Sequence, residues 1–186
     1  PHGLTLDDIA AIHLYTQEQP IYPALNAALR SEDRDAVKPY WGYIKLLQSA
    51  LFKLPKDVTG TLLRGIRVTW KPLNQLKAEL LRLQASGDPL IWWGFSSSST
   101  SMPAVEKFLK PDGWQTGQAL GPRVIYTIDG GSSARDVRRY SSFQGGSVPE
   151  DERLLPCGTA FTVKTVGSPA PDLLLVSLKQ TDTVLL

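Results

Sequence analysis

Little in this chain lends itself to metal or disulfide chemistry. It has one cysteine, Cys157, so no internal disulfide can form, and its two histidines, His2 and His13, assemble no familiar zinc spacing. A single thiol fits a reducing compartment, and Cys157 is expected as a small buried filler near a strand start rather than a reactive thiolate. No apolar run approaches the roughly 20 residues of a membrane helix, and no signal-peptide pattern opens the sequence. Beginning at Pro1, the chain is expected to be a piece of a longer protein, which leaves cytoplasmic and secreted settings both open. Twenty basic and 18 acidic residues leave a formal charge of +2, too balanced to mark nucleic acid or an anionic membrane as the partner. The glycine pairs form neither a GxGxxG fingerprint nor a phosphate-binding Walker loop.

What is present is a chain of 186 residues, 42% apolar, enough for one domain with a real core. The first third reads as helical. Thr5 and Asp8 make a capping box ahead of Ile9 and Ile12, with His13 a structural residue of that helix. A second helix is expected over Tyr22 to Leu29. Apolar residues from Val37 to Leu54 recur at spacings of three and four, predicting one helix with a buried face that Pro55 stops. From Thr61 onward short runs are bounded by Gly and Pro and read as strands: Leu62 to Ile66, Leu90 to Phe95, Val124 to Ile128, Arg153 to Leu155, Thr159 to Val166 and Leu173 to Leu178. Helices interrupt them at Leu73 to Leu83, with Gly87 beyond the end, and at Pro103 to Leu109. Helices first and strands after predict an α+β fold with a mainly antiparallel sheet, residues 1–186 forming a single domain with a helical region over 1–58 and a strand-rich core over 59–186.

Three features of the strand-rich half carry chemistry, in a fixed order. Arg64 is a charge inside the apolar strand Leu62-Leu63-Arg64-Gly65-Ile66, beside a glycine that lets a ligand approach the backbone; its planar fork suits phosphate oxygens. Next, the aromatic strand Trp93-Gly94-Phe95 runs into six consecutive hydroxyl residues, Ser96 to Ser101, groups suited to holding a ribose and orienting a carboxylate. Last, Pro149-Glu150-Asp151-Glu152 leads into an apolar strand; extended, Glu150 and Glu152 share one face about 6.6 Å apart. Taken singly, each has a plain structural reading: a salt-bridged strand arginine, a polar loop capping a helix near Ser101, and a solvated acidic edge. Arg135, Arg138 and Arg139 are expected as a solvated basic face.

Taken together, these features resemble the signature of the arginine-specific mono-ADP-ribosyltransferases: an Arg, a Ser-Thr-Ser-like element after Phe, then Glu-x-Glu. The resemblance runs from Thr5 to at least Val166 and takes in Tyr15-Thr16. The run Glu150 to Val163 is its most specific part. Two departures stand out: the middle element reads Ser97-Ser98-Ser99, and the segment Gln144 to Pro149 is long. The resemblance implies N-terminal helices packed on two roughly perpendicular, mainly antiparallel sheets that form an NAD cleft. It also implies cleavage of NAD at the nicotinamide ribose and transfer of ADP-ribose to an exposed arginine of a protein, with no metal.

The same resemblance assigns roles. Arg64 would grip the NAD phosphates, Gly65 would leave room for the nicotinamide amide, and Ser97 and Ser98 would bind NAD, Ser97 also orienting Glu152. Glu152 would stabilise the cation formed as the glycosidic bond breaks. Glu150 would hold the acceptor guanidinium, and Phe143 would contact the acceptor protein. Two other outcomes remain: an NAD glycohydrolase releasing free ADP-ribose to water, and a non-catalytic module that binds a nucleotide or a protein.

Overall fold

The computed structural model describes residues 2–17, 20–56, 60–110, 115, 121–130, 133–142 and 151–184. Helix α1 (Leu6–Thr16) starts as expected: the Thr5 side chain accepts from the Asp8 amide and Asp8 accepts from the Thr5 amide, completing the capping box. Lys53 from the third helix closes on the same carboxylate at 2.7 Å. Helix α2 spans Ile21–Arg30. The expected helix from Val37 to Leu54 is divided: a 3₁₀ segment (Arg34–Tyr40) precedes α3 (Trp41–Lys53). Pro39 supplies the reason, because it lacks an amide hydrogen and disfavours helical backbone at the residue before it.

The strands are β1 (Leu62–Arg67), β2 (Leu90–Trp92), β3 (Ser96–Ser99), β4 (Arg123–Asp129), β5 (Arg135–Asp136), β6 (Glu152–Leu155), β7 (Thr159–Ala170) and β8 (Leu173–Val184). Helix α4 (Trp70–Ser86) ends on Gly87, whose φ of 76° is the left-handed cap that glycine adopts freely, and α5 (Met102–Leu109) follows β3. The α+β class is as expected. The strands run in the order β2-β7-β8-β4-β1-β3-β6-β5, antiparallel except for the parallel pair β4–β8. Hydrogen bonding therefore joins the parts expected as two sheets into one mixed sheet. The junction is slight: β1 pairs with β4 along its whole length but with β3 only at Leu63↔Ser99.

The strand predicted from Leu90 to Phe95 stops at Trp92, and the hydroxyl run after it is itself a strand, paired residue for residue with β6 from Ser96↔Leu155 to Ser99↔Glu152. Serine has little strand preference of its own; a neighbouring strand that is buried throughout decides the matter.

Two apolar clusters flank this part of the sheet. One gathers Ile12, Leu25, Leu47 and Leu51 of the helices with Phe95, Val137 and Leu154. The other gathers Leu80, Tyr126, Phe161 and Leu178 with Leu155. Successive side chains of a strand point to opposite faces, so β6 sends Leu154 into the helical cluster and Leu155 into the sheet cluster. Glu152, two residues before Leu154, faces the helices. Among the described residues, no helix is long and apolar enough to cross a membrane.

Candidate active site

A cleft of about 300 Å³ opens where α1 and α2 meet β1, β3 and β6, a size within the range of small-molecule sites. Arg64, Gly65, Ser97, Ser98 and Glu152, which lie far apart in sequence, all line it. Glu152 is only 8% exposed, and both of its carboxylate oxygens are bound by hydroxyls: Ser97 Oγ donates to Oε1 at 3.0 Å and Ser141 Oγ to Oε2 at 2.8 Å. Such charge-assisted bonds offset the loss of water around a buried carboxylate. Ser98 Oγ is turned to the Arg153 carbonyl at 3.1 Å.

Arg64 donates through Nη1 to the Ser97 carbonyl, which ties the arginine strand to the serine strand, and its guanidinium lies 5.6 Å from the centre of the Trp92 ring. Burial lowers its pKa, yet a guanidinium stays a cation under these conditions. Gly65 is explained by packing: a Cβ there would stand 2.8 Å from the Val105 side chain and 2.9 Å from that of Leu109, so a larger residue would require these α5 side chains to shift.

The opposite wall is helical. Tyr15 donates to the Phe95 carbonyl at 2.9 Å, and Asn26 Nδ2 donates both to the Tyr15 hydroxyl at 2.9 Å and to the same carbonyl at 3.2 Å. Burial pushes the Tyr15 phenol up to about 12, so it remains a neutral donor. Gly94 is needed beside this group, because a Cβ would lie 2.7 Å from Asn26 Oδ1 and 3.2 Å from Nη1 of Arg30.

Of the residues singled out from sequence, Arg64, Gly65, Ser97, Ser98 and Glu152 come together. Glu150, Phe143 and the Gln144 to Pro149 segment lie outside the described residues. Ser141, Asn26 and Arg30 were not singled out; Asn26, a polar residue on the buried face of its helix among Leu25, Ala28 and Leu29, was the one with a readable signal. Arg138 and Arg139 are exposed, as expected of a solvated basic face, but Arg135 is not. Arg135 is buried, its guanidinium donating to the carbonyls of Leu51, Ser133 and Ala134 and lying over Phe52. Arg138 pairs with Asp136 and, at 2.8 Å, with Asp151, which also accepts from Arg153 and Thr100. His13 is structural as expected, its Nδ1 3.2 Å from the Tyr140 carbonyl. Cys157 is fully buried, and burial pushes its thiol up to about 12.

A family model described as NAD:arginine ADP-ribosyltransferase matches residues 1–183. The chain belongs to that family. NAD is accordingly the substrate its members use, and the fold agrees. The Vis toxin of Vibrio splendidus, an ADP-ribosyltransferase solved in complex with agmatine, superposes with a TM-score of 0.70 at 20% identity, over 97% of this chain and 77% of that one. The ADP-ribosyltransferase HopU1 of Pseudomonas syringae pv. tomato gives 0.65 at 21% identity, over 94% and 76%. The C3 exoenzyme of Clostridium limosum gives 0.65 at 16% identity, over 97% and 87%. Comparison with curated protein sequences gives no match.

Proposed function

We propose that this protein cleaves the bond between nicotinamide and ribose in NAD and transfers ADP-ribose to an arginine of another protein. The observation that carries the reading is Glu152, a carboxylate held at both oxygens in the wall of a cleft that also presents the Arg64 guanidinium. When the C1′–N bond breaks, its electron pair leaves with nicotinamide, which departs neutral and needs no general acid. Positive charge spreads over the ribose ring as in glycoside cleavage. A fixed carboxylate beside that ring favours this state over the ground state, and Glu152 is prevented from turning away. Arg64, one donor already spent on Ser97, has its remaining N–H groups for the phosphates, with the Arg30 cation nearby on the helical wall.

The acceptor nitrogen then forms a bond to C1′ and gives up a proton. Glu150, two residues before Glu152, is the assigned holder of the guanidinium and receiver of that proton, and Phe143 the contact for the acceptor protein. Agmatine, solved with Vis, carries the same guanidinium as arginine, which favours an arginine acceptor here. The whole chain is taken to act as one catalytic domain.

Glu150→Gln tests the division of labour. Transfer to an arginine acceptor should fall by at least about tenfold, the low end of what positioned acid–base groups contribute, while NAD hydrolysis survives. Equal loss of both activities would contradict the roles given to the two glutamates.

A further inference from the structure

Glu152 has two carboxylate oxygens, and the family signature explains the partner of only one. Ser97 belongs to the serine element; Ser141, on the other oxygen, belongs to no motif. We propose that Ser141 is a second positioning residue, fixing the rotation of the Glu152 carboxylate while Ser97 fixes its place.

The placement of Ser141 is determined from three sides. Strand β5 runs antiparallel to β6, and just beyond it the Val137 amide donates to the main-chain carbonyl of Glu152 itself at 3.4 Å. The Val137 carbonyl then accepts from the amides of Tyr140 at 2.8 Å and Ser141 at 2.9 Å, so the turn carrying Ser141 hangs from the backbone of the residue it serves. On its far side the turn is tied to the last turn of α1. The Ser142 amide donates to Thr16 Oγ1 and the Ser142 hydroxyl to the Thr16 carbonyl, both at 2.8 Å. Ser141 is 3% exposed, so water does not stand in easily for its hydroxyl.

Donors on both oxygens hold its plane. A carboxylate that must meet a cation as it develops gains from a fixed plane, because reorientation during the reaction lowers the electrostatic benefit. Serine suits the position because its hydroxyl donates from a short side chain within a packed turn.

The inference rests on the NAD-cleaving reading above, and steady-state kinetics separates the two. Wild type, Ser141→Ala and Ser141→Cys are compared for NAD consumption. Ser141→Ala should lower kcat about tenfold, the low end for a hydrogen bond to a charged group, with KM for NAD within about twofold. Ser141→Cys, a weaker donor of similar size, should fall between, and it supplies the test by itself if the alanine variant does not fold. A kcat within about twofold of wild type in both variants would overturn the proposal. So would a rise in KM with kcat unchanged, which marks loss of binding shape rather than of carboxylate orientation. A wild type that consumes no NAD would overturn the underlying reading instead.

Discussion

The two walls of the cleft are built differently. On the sheet wall, Arg64, Ser97 and Glu152 come from the neighbouring strands β1, β3 and β6, and their side chains bond across strands: arginine to a serine carbonyl, serine to carboxylate. On the helical wall, Tyr15 and Asn26 bond to each other and to the Phe95 carbonyl. The first wall holds charges whose orientation matters to a reaction. The second is knit together by hydrogen bonds among neutral groups. Ser141 and Ser142 join the two, one hydroxyl on Glu152 and the next on the end of α1.

If the sheet wall carries the chemistry, the largest effect belongs to Glu152→Gln, which preserves shape and removes charge. NAD consumption should fall by about a hundredfold or more in kcat, measured by nicotinamide release, with little change in NAD affinity. A smaller and different loss is expected on the helical wall. Asn26→Ala removes both of its bonds to Tyr15 and Phe95, which should cost about 2 kcal/mol in urea denaturation and raise KM more than it lowers kcat. A kcat loss there equal to that of Glu152→Gln would erase the distinction between the walls.

The last effect emerges only at alkaline pH. Burial pushes Tyr15 on the helical wall, Tyr126 in the sheet cluster and the Cys157 thiol up to about 12, from ordinary values of 10.0 for the phenols and 9.0 for the thiol. The unfolded chain loses these protons first, so it binds fewer of them, and stability must fall as pH rises from about 9 towards 12. Urea midpoints at pH 8, 9, 10 and 11 should decline progressively, and less steeply in Tyr15→Phe. An unchanged slope in that variant would show that Tyr15 titrates normally.

The sheet wall was largely legible in the sequence, because a charged residue inside an apolar strand, a hydroxyl run and a glutamate leading into an apolar strand are visible without knowing the fold. Helix α1 was legible through its Thr5–Asp8 box, a local interaction. What escaped depended on distant partners. Ser96 to Ser99 form a strand because β6 lies alongside, and serine alone does not announce that. Ser141 meets Glu152 only because a turn folds back on β6, with no spacing rule to reveal it. Arg135 and Arg138 looked like one basic face because they are close in sequence, yet one is buried against backbone carbonyls and the other pairs with acids.

Mass spectrometry of reactions containing NAD and an arginine-bearing acceptor, wild type beside Glu152→Gln, decides whether this cleft transfers ADP-ribose to arginine. ADP-ribose is expected on arginine from the wild type alone, with free nicotinamide released in step. Unmodified acceptor with intact NAD in both reactions, or adducts formed as readily by Glu152→Gln, would contradict it.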